Sequence, residues 1–577
     1  MERVLFAHRV LPTLRPDVAQ DPGPYSEWVQ RQEQYRRQQA PRRPDAEVLQ
    51  LVMVVADEPP SGTVRTLQAL QAQTSTRWRL TVVLRDSWQT AFTALLAVSG
   101  LQRTSQRVRV ECVEDSSTPD QMLRLGLAAT TGANLSLLFP GDVWAPDAVA
   151  QLGGSLSSRT VVYADEDSVG AGGEHVGPRL KPAFSPEFLL SSSYIGRPLA
   201  IGAGIVLQPS TSTASLADLE HDLALRACEA ADEVIHLPHV LCHRLIDTPQ
   251  ASEAQGHDVG HVVAALQRRG ETAEVTPGAG AGTYRIRRHS TQKATISIII
   301  PFRDQPRFMR TCIESIDATR GDTEIDFVLI DNGSAQPETM TLVERLARRD
   351  DVQVLNDARP FNWSELNNAG AQVSSGQVLV FLNNDIEVHG AGWVDVLSTQ
   401  AMRPGVGVVG ARLLYPDRRL QHCGVVIGVG GAADHILAGL EVDAPGYLHM
   451  ATSTRECAAV TGACLATRRE VFENLGGFDE SLGVDLNDID YCLRAQRGGL
   501  KVIYEANAEL LHHESPSRGF AGGARDIKKF IDRWQSSILA GDPYLNPNLT
   551  RIDSSCALRR SDEGEWWQQW YASFAQN

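Results

Sequence analysis

The sequence predicts an α/β protein in which one unit of parallel strands and helices occurs twice in tandem. Short apolar strands alternate with stretches of helical spacing, and this alternation is typical of parallel strands joined by crossover helices. The same order of strands and helices then occurs a second time along the chain. A chain of 577 residues is also too long for one hydrophobic core. We therefore expect two α/β domains, at 48–275 and 295–520.

The composition excludes several classes of protein. The hydrophobic content of 42% and the charged content of 21% are ordinary for a soluble globular protein. The formal net charge of -16 argues against a nucleic-acid binder, because such proteins usually carry a basic face. No apolar run approaches the roughly 20 residues that span a bilayer, and the N-terminus lacks the apolar core of a secretory signal. We expect a cytoplasmic protein whose nine cysteines are reduced.

The segments outside the two copies are predicted to be extensions and a linker. Residues 1–47 are polar and arginine-rich, and an uninterrupted helix is expected there through Gln39. The glycine-rich run 278–282 marks a linker at 276–294. Residues 521–577 are expected to form a helical extension whose tail packs back onto the second domain through Trp566, Trp567 and Trp570.

Both copies are predicted from the same order of elements. In the first copy the expected order is strand 51–55, helix 63–73, strand 78–84, strand 135–139, a helix from Pro146, a helix opened by Asp222 and strand 240–243. In the second copy the expected order is strand 296–300, helix 307–316, strand 326–330, helix 364–373, strand 378–382, a helix led by Asp488 and a strand ended by His512.

Polar residues of the second copy follow its strands, where ligands of open α/β sheets gather. Asp331 can accept hydrogen bonds from a base or a ribose, although Asp-Asn-Gly-Ser also forms plain turns. Asp385, with Asn383 and Glu387, offers oxygen ligands with which Mg²⁺ or Mn²⁺ could bridge a diphosphate, although acids after strands also cap helices.

Two further residues complete the candidate chemistry. His512 suits a metal of the Mn²⁺ type, and the alternative is a histidine with only a structural role. Asp488 is a candidate general base, and the alternative is a helix cap. Each feature has a structural alternative, but together they occur in the order that one reaction requires.

That order resembles an inverting family 2 glycosyltransferase domain of the GT-A type, a Rossmann-like fold of nucleotide-diphospho-sugar transferases. The resemblance covers nearly all of 295–550. It rests on Ile-Pro-Phe-Arg-Asp-Gln-Pro (300–306), Ile-Asp-Asn-Gly-Ser (330–334), Leu-Asn-Asn-Asp-Ile-Glu-Val (382–388), Ala-Val-Thr-Gly-Ala-Cys-Leu (459–465), Gly-Gly-Phe-Asp-Glu (476–480), Asn-Asp-Ile-Asp-Tyr-Cys-Leu-Arg (487–494) and His-His-Glu-Ser-Pro-Ser-Arg-Gly (512–519).

The resemblance implies a role for each site residue. The nucleotide would be held by Pro301, Phe302, Arg303 and Asp331. Asn383-Asn384-Asp385 occupies the place of the family's Asp-x-Asp, with Asp385 as the remaining metal acid. His512, or failing it His513, would complete the metal site. Asp488 matches the base of the family's Glu-Asp pair, whose first member is Asn487 here.

The first copy resembles the first half of tandem-domain glycosyltransferases associated with bacterial surface polysaccharides. The matching runs are Tyr-Ala-Asp-Glu-Asp (163–167), Lys-Pro-Ala-Phe-Ser-Pro-Glu-Phe-Leu-Leu (181–190) and Ser-Tyr-Ile-Gly-Arg (193–197). Phe139 and Gly141 replace both metal acids, while Asp222 and His243 fall at the base and metal-histidine positions. We expect a degenerate copy that packs on its neighbour or holds acceptor for it.

The predicted function is transfer of a sugar from a UDP- or dTDP-sugar to a growing bacterial surface glycan such as O-antigen or capsule. The second domain would catalyse it with inversion and with Mg²⁺ or Mn²⁺. A lipid-linked glycan acceptor would bring the protein to the inner face of the plasma membrane as a peripheral visitor. Two alternatives stay open: a bifunctional enzyme with two sites, and a non-catalytic glycan-binding scaffold.

Overall fold

The computed structural model describes residues 22–38, 47–56, 62–99, 107–170, 172–207, 215–246, 258–290, 293–514, 523–560 and 563. The expectations for Gln39 and for the tryptophan tail concern residues outside these ranges. Within the described ranges, no helix is both long and apolar enough to cross a bilayer. Each of the nine cysteines is a free thiol.

The elements of the first half follow the predicted alternation. In chain order they are α1 (Pro22–Arg37), β1 (Leu49–Val55), α2 (Thr63–Gln71), β2 (Trp78–Arg85), α3 (Gln89–Val98), β3 (Val108–Val113), α4 (Pro119–Ala128), β4 (Asn134–Leu137), β5 (Asp142–Trp144), α5 (Ala148–Ser155), β6 (Thr160–Val169), β7 (His175–Arg179), α6 (Pro186–Ser191), β8 (Leu199–Ile201), α7 (Leu216–Ala230), β9 (Glu233–Leu245), α8 (Gly260–Arg268), β10 (Ala273–Pro277) and β11 (Tyr284–Arg288).

The second half follows the same plan and ends in a long helix. In chain order its elements are β12 (Ile296–Phe302), α9 (Pro306–Thr319), β13 (Ile325–Asp331), α10 (Pro337–Leu346), β14 (Val352–Asn356), α11 (Trp363–Val373), β15 (Val378–Leu382), β16 (Ile386–Val388), α12 (Trp393–Ala401), β17 (Val406–Leu414), β18 (Leu420–His422), β19 (Val425–Ile427), β20 (Ala433–His435), β21 (Arg455–Glu456), β22 (Cys464–Arg468), α13 (Arg469–Asn474), α14 (Asn487–Arg497), β23 (Lys501–His512) and α15 (Gly523–Ala540).

The two large sheets have the same strand order, so the predicted repeat of one topology is confirmed. The order is β3-β2-β1-β4-β8-β6-β9-β5 in the first sheet and β14-β13-β12-β15-β22-β17-β23-β16 in the second. The first four strands of each sheet are parallel, and β8 and β22 each join antiparallel to the fourth. Every residue of β12 and of β15 is buried, because helices cover parallel strands on both faces.

Two local elements differ from the prediction. The helix expected to open at Asp222 begins at Leu216, because the Ser215 hydroxyl accepts from the N–H of Asp218 and caps an earlier first turn. The predicted linker 276–294 contains β11, which pairs antiparallel with β10. Its glycines lie in the hairpin turn between these two strands.

One buried hydrophobic cluster spans the two halves, each half has a further cluster of its own, and buried polar contacts join the halves. Phe188 and Tyr194 of the first half belong to the same buried cluster as Val460 and Tyr504 of the second. At the C-terminal end, the Asn546 amide donates to the Asp165 carboxylate at 2.9 Å and to the Lys181 carbonyl at 2.8 Å. The chain after α15 therefore packs back onto the first half.

Candidate functional site

The carboxyl ends of the second sheet bring the candidate nucleotide residues together. Phe302, the last residue of β12, lies opposite Asp331, the last residue of β13. The Asp331 carboxylate accepts from the N–H of Ser334 at 2.8 Å, so it also holds its own turn. The Asn332 amide donates to the carbonyls of Asp357 and Arg359, both at 2.8 Å. These bonds fix the loops beside Pro301 and Arg303, where parallel-sheet ligands bind.

The candidate metal residues meet at the edge of the sheet. Ile386 on β16 lies opposite His512 on β23, which places the preceding Asp385 beside that histidine. Asp385 Oδ1 lies 3.2 Å from His512 Nε2, and the Asn383 amide lies 3.2 Å from the same nitrogen. All three residues are buried.

A second residue sets the tautomer of His512. Its Nδ1 donates to Oε1 of Gln421 at 2.7 Å, so the lone pair of the neutral ring lies on Nε2, toward Asp385. A buried carboxylate oxygen and an imidazole nitrogen at this separation are ligands that suit Mn²⁺ or Mg²⁺. These donors therefore fit a divalent cation.

The structure separates the two adjacent histidines. The backbone N–H of His513 donates to the Asp385 carbonyl at 3.0 Å, and the ring Nε2 of His513 lies 2.8 Å from the Glu387 carboxylate. Glu387 and His513 therefore pair with each other, and His512 is the ring beside Asp385.

The candidate base is held at the start of α14. Asp488 Oδ2 accepts from the N–H of Gly462 at 2.6 Å, and Oδ1 accepts from the N–H of Ile489 at 2.8 Å. Burial raises the pKa of Asp488, against hydrogen bonds from Gly462 and Ile489 that lower it. The N-cap of α14 is Leu486, which makes no side-chain cap hydrogen bond, so Asp488 lies inside the first turn and is not the helix cap of the alternative interpretation. Its carboxylate is oriented toward Gly462.

The two-residue segment Gly462–Ala463 connects the base to the metal residues. Gly462 donates to Asp488, and the carbonyl of the next residue, Ala463, accepts from the N–H of Asn383 at 3.0 Å. A Cβ on Gly462 would lie 2.9 Å from the Trp363 ring, so only glycine fits there. Sequence reasoning missed Gln421, which has no local signal, and the role of Gly462, which lies within the run 459–465.

The structure corrects the expected histidine position in the first half. Where Ile386 lies opposite His512 in the second sheet, Asp142 lies opposite Arg244 in the first. His243 is one residue away and faces the other side, where Nδ1 lies 2.6 Å from Asp167. The register therefore puts Arg244, and not His243, at the position of His512, because a shift of one residue along a strand reverses the face. His243 instead forms a group with Asp167 and His175 whose ligand atoms lie within 4.8 Å of one another and could hold a metal ion.

The structure also corrects the expected base position. Asp222 pairs with Arg226 four residues later, as Asp490 pairs with Arg494. Both arginines lie seven residues before the strand that follows. Asp222 thus corresponds to Asp490, and the residue at the position of Asp488 is Glu220.

The comparisons with known proteins agree with this architecture. Residues 297–476 match the family model described as glycosyl transferase family 2. The O-antigen biosynthesis protein RfbC of Myxococcus xanthus is 34% identical over 544 residues, which are 90% of this chain and 42% of that protein. The uncharacterized protein y4gI of Sinorhizobium fredii is 31% identical over 538 residues, which are 89% of this chain and 58% of that protein. The chain therefore spans about half the length of these curated relatives.

A solved structure that matches part of the chain is the mannosyltransferase PcManGT from Pyrobaculum calidifontis in complex with GDP-Man and Mn²⁺. The TM-score is 0.31 and the sequence identity is 14%, over 48% of this chain and 70% of that one.

Proposed function

We propose that the second half, whose residues 297–476 match the model of glycosyl transferase family 2, transfers a sugar from a nucleotide-sugar to a bacterial surface glycan with inversion at the anomeric carbon. The observation that carries the proposal is the arrangement of Asp385, His512 and Asp488 around the two-residue segment Gly462–Ala463. The second half would form a GT-A domain and act on a UDP- or dTDP-sugar.

The donor would bind along the carboxyl ends of β12, β13 and β15. Asp331 would accept from the base or ribose, and Asn383, Asn384 and Asp385 would border the diphosphate. Pro301, Phe302 and Arg303 would line the nucleotide. Asp385 and His512 would hold Mg²⁺ or Mn²⁺, which supplies positive charge to the leaving diphosphate.

Asp488 would take the proton in the chemical step. An acceptor hydroxyl oxygen bonds to the anomeric carbon from the face opposite the diphosphate as the bond to the diphosphate oxygen breaks. The proton of that hydroxyl passes to the carboxylate of Asp488. Two backbone N–H groups orient this carboxylate before the acceptor arrives.

The acceptor class rests on RfbC, which is named for O-antigen biosynthesis. We propose a growing O-antigen or capsule glycan, and a lipid-linked form of it would recruit the protein to the cytoplasmic face of the inner membrane. Such recruitment would be peripheral.

Transfer assays with matched variants test the proposal. UDP-, dTDP- and GDP-sugars are supplied with Mn²⁺ and a crude glycolipid fraction, and sugar incorporation and donor hydrolysis are both measured. We expect turnover of one donor by the wild type, and its loss in Asp385→Ala and in Asp488→Asn. Glu387→Gln is the matched control, because this acid of the same run pairs with His513 and not with His512. Turnover that persists in both test variants would overturn the assignment.

A further inference from the structure

The first half has an arginine, Arg197, at a position where the second half has a small residue. In the second sheet Leu379 lies opposite Thr467, and in the first sheet Leu135 lies opposite Ile201. Counting back from these pairs by equal steps, Arg197 corresponds to Ala463, and Gly196 corresponds to Gly462. The guanidinium group of Arg197 therefore stands where the second half has the methyl group of Ala463, in the segment that joins the candidate base to the metal residues.

The contacts of Arg197 reach the groups that correspond to the candidate site. One Nη donates to Asp142 at 2.9 Å. Nε and the other Nη donate to the two oxygens of Glu220 at 2.9 and 3.1 Å. The guanidinium carbon lies 3.4 Å from the centre of the Phe139 ring.

These partners occupy known positions in the repeat. Glu220 stands at the position of Asp488, and Phe139 stands at the position of Asn383, the first residue after the fourth strand of the sheet. The guanidinium thus lies between the counterparts of the base and of the metal run. It exposes 14% of its side chain and uses both oxygens of Glu220.

A second arginine of the first half also replaces a residue of the candidate metal site. Arg244, at the position of His512, lies 2.7 Å from the Glu166 carboxylate. Gly141, at the position of Asp385, brings no carboxylate. A divalent cation here would meet two guanidinium groups, and the nearby acids are already paired with them. The residues at this position of the first half therefore do not fit the metal that Asp385 and His512 fit. The group of Asp167, His175 and His243 is a separate place where the first half could hold a metal ion.

We propose that Arg197 takes the place of the divalent cation at the position of the first half that corresponds to Asp385 and His512 and seals it, so that no second nucleotide–metal site forms among the described residues at that position. The sealed half remains folded as a partner of the second half, and the ion pairs of Arg197 stabilise it. This inference concerns the first half alone and does not depend on catalysis by the second.

Binding experiments on the full chain test the missing second site. Mn²⁺-dependent binding of UDP and of dTDP is measured by calorimetry for the wild type and for the Asp385→Ala/His512→Ala double variant. We expect at most one site in the wild type and none in the double variant. Metal-dependent binding that survives in the double variant would overturn the inference. Binding by neither protein would contradict the proposed function of the second half while supporting a sealed first half.

Chemical rescue tests the role of the guanidinium itself. In the Asp385→Ala/His512→Ala background, Arg197→Ala leaves Asp142 and Glu220 without their cation, and we expect its melting temperature to fall by about 5 °C or more. Millimolar guanidinium should restore part of this loss in Arg197→Ala and leave the parent protein unchanged.

The control is Arg159→Ala, because Arg159 pairs with Asp232 at the surface and its side chain is half exposed. If Arg197→Ala fails to fold, Arg197→Lys is used instead, because it retains a positive charge without the bidentate geometry. Its melting temperature should lie below that of the parent protein. An Arg197→Ala protein as stable as the control, or one that guanidinium does not rescue, would refute the inference.

Discussion

Replacing Glu456 should weaken the contact between the two halves more than replacing any exposed acid. Glu456 belongs to the second half and is 2% exposed, and its carboxylate accepts from the Ser185 hydroxyl and, at 3.1 Å, from the N–H of Glu187 in the first half. It also lies 3.2 Å from Lys501 Nζ, which is partly exposed. Hydrogen bonds to a charged acceptor contribute about 1.5–3 kcal/mol each, while the partly exposed Lys501 pair adds little. Glu456→Ala should therefore cost about 3–5 kcal/mol, and Glu456→Gln about half of that.

The measurement is urea unfolding followed by fluorescence and circular dichroism, which report on both halves. We expect the unfolding midpoint of Glu456→Ala to fall in both signals, because the loss removes support from each half. The control is Glu441→Ala, since Glu441 is 77% exposed and only pairs with Arg419 at the surface. A loss in Glu456→Ala below about 0.5 kcal/mol, or equal to that of the control, would refute the argument that this carboxylate joins the halves.

Three further predictions follow from single residues. The rate of sugar transfer should fall below an apparent pKa that lies above the usual aspartate range, because burial raises the pKa of Asp488 and the base must be deprotonated. A pH–rate profile measures this fall at low pH. Asp488→Asn should abolish both the activity and its fall at low pH. Gly462→Ala should lower activity by at least tenfold with a folded spectrum, since its Cβ would lie 2.9 Å from an indole ring, and kinetics beside circular dichroism measure it. Burial lowers the pKa of His243, but Asp167 outweighs it and raises that pKa to about 9, so its stabilising charge is complete below about pH 6.5 and is lost as pH rises through 9. Unfolding free energies at pH 6 and pH 10 should show this loss, on the order of 3 kcal/mol, and His243→Gln should lack it.

Sequence patterns predicted the repeat because strands and helices have local periods. The buried runs at 296–302 and 378–382 left little doubt about their strands, and the residues after them fell at one edge of the sheet. The resemblance to family 2 predicted that Asp385 would share a metal site with His512, or failing it His513, although 126 residues lie between Asp385 and His512. Their supporting residues were not found. Gln421 reaches His512 through tertiary packing, and no local period marks such a contact.

The errors have a common physical cause. Asp222 and His243 were placed by residue type, whereas their true positions depend on register. A catalytic acid or a histidine of one half can be aligned by mistake with a residue of the other half that lies one or two positions from its true counterpart. The pairing of strands decides which neighbour faces the site. In the first half the neighbours that face the site are Arg244 on the strand and Glu220 on the helix. The guanidinium of Arg244 pairs with a carboxylate and is no metal ligand, and Glu220 is paired with Arg197.

Removing Arg197 alone should not create a second catalytic site, and the backbone explains why. Gly141 stands where the second half has Asp385, and its φ is 94°, in the left-handed region that residues with a side chain rarely adopt. Asp385 is not among the residues with positive φ. Restoring the acid by Gly141→Asp would therefore strain the turn, and Arg244 would still occupy the histidine position. A triple variant with Arg197→Ala, Gly141→Asp and Arg244→His should bind Mn²⁺ weakly if at all, because the sealed pocket is fixed by the main chain as well as by its side chains.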